Sequence, residues 1–115
     1  MVKPIKEDRN MANIGVPVTR LTNSWTIIRT MGGSFTVSMV HFTNVSMVIV
    51  KVRLCLVPPA GLPSIGNALC WDLPLPANDV LELLAGDMWP PGYTLQAMAN
   101  MNNVANIKVA GTESV

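Results

Sequence analysis

Apolar and polar residues alternate most regularly between positions 47 and 57, in the stretch MVIVKVRLCLV. Aliphatic residues occupy every second position there, and Lys51 and Arg53 fall between them. Successive side chains of a β-strand point to opposite faces, so this period of two predicts a strand with one face in a core. A helix would not segregate the same residues as well. The face with the two cations meets water or a partner.

Six further segments have the composition or alternation of strands, and clusters of Gly, Pro and Asn separate them. They are residues 24–30, 34–42, 68–75, 80–84, 93–99 and 104–110. Residues 80–84 could form one helical turn, but their place among strands favours a strand. Pro74 has no N–H, so its segment is expected at a sheet edge or to end there. Seven or eight short strands predict an all-β fold, an antiparallel β-sandwich of immunoglobulin-like or jelly-roll-like topology.

The first twenty residues have no clean period and hold charged residues, two prolines and a glycine. This composition predicts an extended N-terminal arm (residues 1–20) ahead of a sandwich domain (residues 21–115). Scattered apolar residues favour an arm that lies on something over the alternative, a disordered tail. The arm residues that we expect to contact a neighbouring subunit are Lys3, Lys6, Arg9, Ile14, Val16 and Arg20.

Composition points to a single domain with an unusually apolar surface. Of the 115 residues, 50% are hydrophobic and 13% are charged, which leaves few charges to keep copies apart. We therefore expect partners to cover part of the surface, in a homo-oligomer or a hetero-assembly. No stretch reaches the roughly 20 apolar residues of a membrane span, and the N-terminus lacks the apolar region of a signal peptide. A net charge of +1 argues against nucleic acid as the main partner.

No group of residues has the pattern of an active site, so we predict a protein that is not an enzyme and has no cofactor. His41 is the single histidine, and a lone histidine in a strand is far more often structural than catalytic. The sequence contains neither a G-x-S-x-G nucleophile elbow nor a phosphate-binding glycine loop. The sequence leaves a Ca²⁺ site between loops as an alternative, although the spacing of its acidic residues is not that of an EF-hand. Its candidate ligands are Asp72, Asp79, Glu82 and Asp87.

The aromatic and cysteine residues raise two further questions. Sandwich lectins stack sugars on exposed rings, and the chain contains Trp25, Trp71, Trp89 and Tyr93. Trp71 is on the apolar side of its strand and is expected in the core. Trp89 precedes two prolines and a glycine in a loop and is the best candidate for an exposed ring, suited to a sugar or a protein contact. The alternative for Trp89 is a plug over the open end of the sandwich.

Cys55 and Cys70 are too few and too far apart for a disulfide framework or a typical metal site. An unpaired cysteine packs like a small hydrophobic residue. We therefore expect two buried free thiols.

Four stretches, in order along the chain, resemble the small β-sandwich virion proteins of tailed bacteriophages. They read LCLVPPAGLPS (54–64), NALCWDLPLPANDVLELL (67–84), PPGYTLQAMA (90–99) and VANIKVAGTE (104–113). In that family a strand pair ending in L-x-L-V-P precedes a Gly/Pro/Ser loop, and the last strand ends near V-x-G-x-E. The resemblance extends from Phe35 to Gly111, about two-thirds of the chain.

The resemblance implies a non-enzymatic structural component of a virion, made in the host cytoplasm. It favours a capsid decoration (cement) protein that binds and stabilises the assembled shell, with the major capsid protein as partner. In that role the arm would reach onto a neighbouring subunit. The alternatives are a neck, tail or baseplate subunit and a carbohydrate-binding adhesion module. A homo-oligomer is expected, and a trimer would fit the threefold sites of an icosahedral shell. The family supplies no catalytic motif, cofactor or metal ligand.

Overall fold

The computed structural model describes residues 11–83 and 86–114. Within them the chain forms nine β-strands and one 3₁₀ turn, Ile65–Asn67. The strands are β1 (Met11–Arg20), β2 (Thr26–Thr30), β3 (Phe35–Asn44), β4 (Val50–Val57), β5 (Ala68–Leu75), β6 (Val80–Leu83), β7 (Met88–Trp89), β8 (Thr94–Ala99) and β9 (Ala105–Ser114). Each strand predicted from the sequence overlaps one of these. In this part of the chain no helix has the length and apolar character that crossing a membrane requires.

The strands form two packed sheets, and all pairs within them are antiparallel. The large sheet has the order β1-β9-β3-β6, and β7 also pairs with β3. The small sheet has the order β2-β8-β4-β5. The antiparallel β-sandwich predicted from the sequence is confirmed. Because β6 and β7 share β3 as partner, they act as one interrupted strand, and the strand order is then that of a jelly roll. An immunoglobulin fold would place β1 beside β2.

The core lies between the sheets and is filled by alternate residues of facing strands. Its largest fully buried side chains include those of Trp89, Phe35, Phe42, Leu54 and Leu95. Gly111 on β9 allows Phe35 to lie at this depth. A Cβ atom at position 111 would collide with the Phe35 ring and with the Thr36 carbonyl oxygen. Close approach of β3 and β9 therefore depends on this glycine.

Two buried polar residues connect the sheets at opposite ends of the core. Glu113, on β9 opposite Phe35, is 7% exposed, and Asn44, on β3 opposite Ala105, is 1% exposed. Glu113 accepts hydrogen bonds from Arg29 of β2 at 2.7 Å (Nη2) and 3.4 Å (Nε), and from the Gly32 N–H at 3.3 Å. We call these regions the Glu113 end and the Asn44 end.

The sequence analysis places the domain boundary at residue 20, but residues 11–20 form β1, the edge strand of the large sheet. Their pairing with β9 shifts register between Val16 and Thr19. Such a bulge interrupts the alternation of side chains, which explains why these residues show no clean period. This part of the predicted arm therefore belongs to the sandwich. Residues 1–10 lie outside the described residues.

Candidate interaction surface

The outer side of the small sheet carries large aromatic and charged side chains near the Asn44 end. The alternation on β4 turns Lys51 and Arg53 outward, as the sequence predicts. Cys55 also faces outward, but the loop 58–67 covers it, and its thiol donates to the Ser64 carbonyl oxygen at 3.3 Å. The uncovered part of this side is therefore the part beside Lys51 and Arg53.

A β-bulge in β5 adds Trp71 to the same surface. Arg53 faces two residues of β5, Trp71 and Asp72, because the register with β4 shifts there. Asp72 has φ +53°, a left-handed conformation that aspartate tolerates better than most residues. The extra residue turns Cys70 toward the core and Trp71 outward, so Trp71 is half-buried instead of occupying the predicted core position.

Arg53 is clamped between Asp72 and Trp71. Its Nε and Nη2 donate to the two carboxylate oxygens of Asp72 at 2.7 and 3.2 Å. Its Cζ lies 3.9 Å from the centroid of the Trp71 ring. Trp25, just before β2, packs against Trp71 with ring centroids 6.1 Å apart and planes inclined by 38°. A guanidinium held in this way has less freedom to lose when a partner binds.

The ion pair also determines the charge of this surface. The hydrogen bond from Arg53 lowers the pKa of Asp72 below that of an ordinary carboxyl, and the charges of Arg53 and Lys51 lower it further. The same hydrogen bond raises the pKa of Arg53. Arg53 and Asp72 are therefore both charged at neutral pH and offset each other, which leaves the formal positive charge of Lys51 on this surface.

A shallow pocket of about 110 Å³ lies beside this ion pair. It is lined by Lys51, Arg53, Asp72, Met98, Ala99 and Asn100. The Lys51 ammonium and the Asn100 amide nitrogen donate to no other described residue, whereas the Asn100 Oδ1 accepts the Lys51 N–H at 2.9 Å. Small-molecule sites typically measure about 300 Å³ or more. The pocket therefore has room for one side chain, and its free donors suit an acidic one.

The loop between β3 and β4 exposes apolar side chains at the Asn44 end. The four apolar residues of segment 45–49 are between 48% and 82% exposed, and Met47 is the most exposed. Asn44 holds this loop in place. Its Oδ1 accepts from the N–H and the hydroxyl of Ser46 at 2.9 and 2.7 Å, and its Nδ2 donates to the Val48 carbonyl oxygen at 2.7 Å. We use the term contact surface for segment 45–49 together with Lys51, Arg53, Trp71, Asp72 and Trp25.

The structure describes three of the arm residues that were predicted to contact a neighbour. Val16 is 7% exposed, and Ile14 is half-buried and packs against the same core. These two predictions are corrected, because both side chains attach β1 to its own sandwich. Arg20 is exposed, and its Nε donates to Asn106 at 3.3 Å. The other three, Lys3, Lys6 and Arg9, lie outside the described residues.

Trp89 is not the exposed ring that its loop-like sequence predicts. It lies in β7, is 1% exposed and stacks on Phe35 with ring centroids 5.5 Å apart. Its indole N–H donates to Asp87 at 3.2 Å. Pairing of β7 with β3 buries the ring, so Trp89 is corrected from an interaction residue to a core residue. It fits the alternative reading of a residue that closes the end of the sandwich.

The remaining chemistry-bearing residues are dispersed. On the outer side of the large sheet, His41 and Glu82 pair at 2.5 Å (Nε2 to Oε1). The four acids considered for Ca²⁺ each have a different partner. Asp72 pairs with Arg53, Glu82 with His41, and Asp87 with the Trp89 indole N–H, while Asp79 accepts the Val80 N–H at 2.9 Å. Among residues 11–83 and 86–114, no group of three or more His, Cys, Asp or Glu could hold a metal ion.

Both cysteines are free, Cys55 buried and Cys70 half-buried. Burial raises the pKa of both thiols, that of Cys70 to about 11. Neither sulfur is therefore activated as a nucleophile at neutral pH.

Comparison of the chain with known protein families, with curated proteins and with solved structures finds no match.

Proposed function

We propose that this protein is a non-enzymatic structural subunit of a virion, and that it binds another particle protein through the contact surface. The observation that carries the proposal is the Trp25–Trp71–Arg53–Asp72 cluster. Tryptophan and arginine are enriched among the residues that dominate protein–protein binding energy. The exposed apolar segment 45–49 continues the same surface, and a fixed loop binds at a lower entropy cost than a flexible one.

Two further observations support a virion setting. The four stretches that resemble phage β-sandwich proteins form β4–β6, β8 and β9 with their connections. The jelly-roll order of the strands is common among viral capsid domains, although lectins share it and a fold alone does not assign a function. Among particle positions we favour decoration of the shell, with the major capsid protein as partner, and place a neck, tail or baseplate subunit second.

The charges of the contact surface suggest the chemistry of this partner. Its net positive charge and the free donors of the pocket fit an acidic side chain flanked by apolar residues. The carbohydrate-binding alternative is less well supported. Its best ring, Trp89, is buried, and Arg53 covers one face of Trp71.

Cosedimentation of the purified chain with empty shells of the virus that encodes it tests the proposal. We expect Lys51→Glu and Met47→Ser to weaken shell binding about tenfold each, because the first reverses the charge of the pocket and the second removes an exposed apolar contact. Met88→Ser is the matched control for Met47→Ser. Met88 is also exposed, at 68%, but it belongs to β7 in the large sheet.

The outcomes separate the alternatives. Binding to isolated tails and not to shells would move the protein to the neck or tail. Binding to a glycan array and to neither particle preparation would replace the proposal with the carbohydrate-binding alternative. Equal loss for Met47→Ser and Met88→Ser would show that the contact surface is assigned to the wrong side.

A further inference from the structure

The sheet edges among the described residues differ in how well they are protected against pairing with another strand. The β5 edge has a bulge at Asp72 and a proline at position 74. The β2 edge is five residues long and has a bulge after Ile27. The opposite edge of the large sheet is divided between β6 and β7, four and two residues long. Short strands, bulges and prolines are the usual ways in which proteins block an edge.

The β1 edge is different, because only one part of it is blocked. Residues 17–20 contain Pro17, a register shift and Arg20. Residues 11–16 pair with β9 in unbroken register and contain no proline and no charged side chain. On their other side they meet no described strand. The Val16 carbonyl oxygen accepts from Lys108 Nζ at 2.8 Å. The rest of this segment presents backbone donors and acceptors that no described strand pairs.

We propose that residues 11–16 pair in antiparallel fashion with the same residues of a second copy, so that two large sheets join across a twofold axis. This inference deepens the proposed function, because it names the surface of the expected homo-oligomer, and it rests on that function for the biological use of the oligomer. The second copy is the favoured occupant because its own residues 11–16 form an open edge of matching length that has no charged side chain of its own. Among the described edges of a second copy, the others are blocked.

The direction of the side chains limits the register of this pairing. On β1 the odd-numbered residues Met11, Asn13 and Gly15 pair with outward-facing residues of β9, and the even-numbered residues face the core. Opposite residues of an antiparallel pair point to the same face. Odd residues must then oppose odd ones. Two registers near the middle of the segment satisfy this condition. With the twofold axis at Asn13, the two Asn13 residues face each other, and with the axis at Ile14, Asn13 faces Gly15.

Side-chain size permits either register. Next to the axis the outer side of the large sheet carries Gly15 and its β9 partner Ala110, and Asn13 with its partner Thr112. None of these side chains is large enough to prevent the close approach of a second sheet. The one long side chain beside them is that of Lys108, whose ammonium lies 3.8 Å from the Cβ position of Gly15 and is held by the Val16 carbonyl oxygen. Met11, which is 43% exposed, would gain a neighbour across the axis.

Light scattering after size exclusion, over a range of concentrations of the full chain, tests the inference through a charge exchange at Asn13. The two Asn13 side chains lie directly opposite each other when the axis is at Asn13, and they are diagonal neighbours when it is at Ile14. Like charges in either arrangement repel, so Asn13→Lys and Asn13→Asp should each raise the dimer dissociation constant, by about fivefold in the first register and by less in the second. An equimolar mixture of the two variants should restore the parental value. The matched control is Thr112→Lys with Thr112→Asp, on β9 one strand away from the edge, where no exchange effect is expected.

A cross-link gives a second readout that does not depend on affinity. With the axis at Asn13, Asn13→Cys should form a disulfide-linked dimer under mild oxidation. With the axis at Ile14, a mixture of Asn13→Cys and Gly15→Cys should do so instead. Arg20→Cys, in the blocked part of β1, should not cross-link in either register. A monomer at all concentrations, a trimer, or a dimer that ignores the charge at position 13 and fails to cross-link would overturn the inference. A dimer that does not bind shells would leave the inference intact and contradict the proposed function. A monomer that binds shells would overturn the inference and leave the proposed function intact.

Discussion

The two ends of the sandwich are closed by polar residues of different kinds. At the Glu113 end, an ion pair joins β2 to β9, and the Arg29 side chain remains 27% exposed. At the Asn44 end, a neutral amide makes five hydrogen bonds to Ser46, Val48, Leu75 and Pro76. Water can therefore reach part of the ion pair, but it reaches almost none of Asn44, which is 1% exposed.

The two polar residues also hold different parts of the surface that we propose for partners. The amide of Asn44 fixes a loop, and that loop carries the apolar half of the contact surface. The Glu113 carboxylate mainly joins two strands, β9 and β2, and makes a single bond to a loop, from the Gly32 N–H at 3.3 Å. The residue opposite Glu113 on β1 is Ala12, within the open edge. A loop needs its own hydrogen-bond partners to keep one conformation, whereas a strand is already held by its ladder. The Asn44 end therefore depends more on a single side chain.

The largest expected effect is that of Asn44→Leu. Removing the amide leaves buried carbonyl and N–H groups without partners, so we expect the free energy of unfolding to fall by about 3 kcal/mol. Urea denaturation measures this loss. Asn106→Leu is the matched control, because Asn106 lies on the outer side of the large sheet and bonds only Arg20 among the described side chains. A loss below about 1 kcal/mol for Asn44→Leu would contradict the importance given to this amide.

Glu113→Gln should have the next largest effect, a loss of about 2 kcal/mol in the same assay. The substitution removes the charge that compensates Arg29, but partial exposure lets water replace some of the lost interaction. A double-mutant cycle with Arg29→Met isolates the pair, and we expect the two substitutions to be non-additive. If Glu113→Gln cost more than Asn44→Leu, the proposed order of the two ends would be reversed.

Raising the pH should lower the free energy of unfolding through Cys70, a residue that belongs to neither end. Burial raises the pKa of Cys70 from 9.0 to about 11, so the folded protein keeps the thiol proton that the unfolded chain loses. Stability is then complete below pH 9 and declines between pH 9 and 11, by about 1 kcal/mol for this half-buried group. Cys70→Ala should remove most of this decline, and the remainder comes from Cys55, whose pKa burial also raises. Parallel declines for Asn44→Leu and Glu113→Gln would show that the ends are independent of Cys70.

The smallest effect on folding is expected for Met47→Ser, at the tip of the loop that Asn44 holds. Its side chain is 82% exposed, so the free energy of unfolding should change by less than about 0.5 kcal/mol. Retention on a hydrophobic-interaction column should nevertheless decrease, because an exposed apolar contact is lost. A large loss of stability would mean that Met47 supports the loop instead of being displayed by it.

Strand positions were predictable because alternation is a local property. The predicted range 68–75 coincides with β5, and 80–84 and 93–99 agree with β6 and β8 to within one residue at each end. Two strands were missed for identifiable reasons. In β1 the bulge between Val16 and Thr19 breaks the period. In β7 two residues are too short to show one, and their strand conformation depends on pairing with β3.

The contact surface was only partly predictable, for a related reason. Lys51 and Arg53 follow from the period of β4, but Trp71 was assigned to the core because the bulge at Asp72 leaves no mark in the alternation. Asn44 falls between the predicted strand segments 34–42 and 47–57. Its role as the centre of a hydrogen-bond network depends on Leu75 and Pro76, more than 30 positions away.

By itself the sequence determined seven of the nine described strands and the inward face of β4, since these follow from a period of two residues. The tertiary structure decided which tryptophans reach the surface, which polar residues close the core and which edge stays open. Each of these depends on a register between strands distant in the chain, and one inserted residue in that register turns the side chains beyond it to the opposite face.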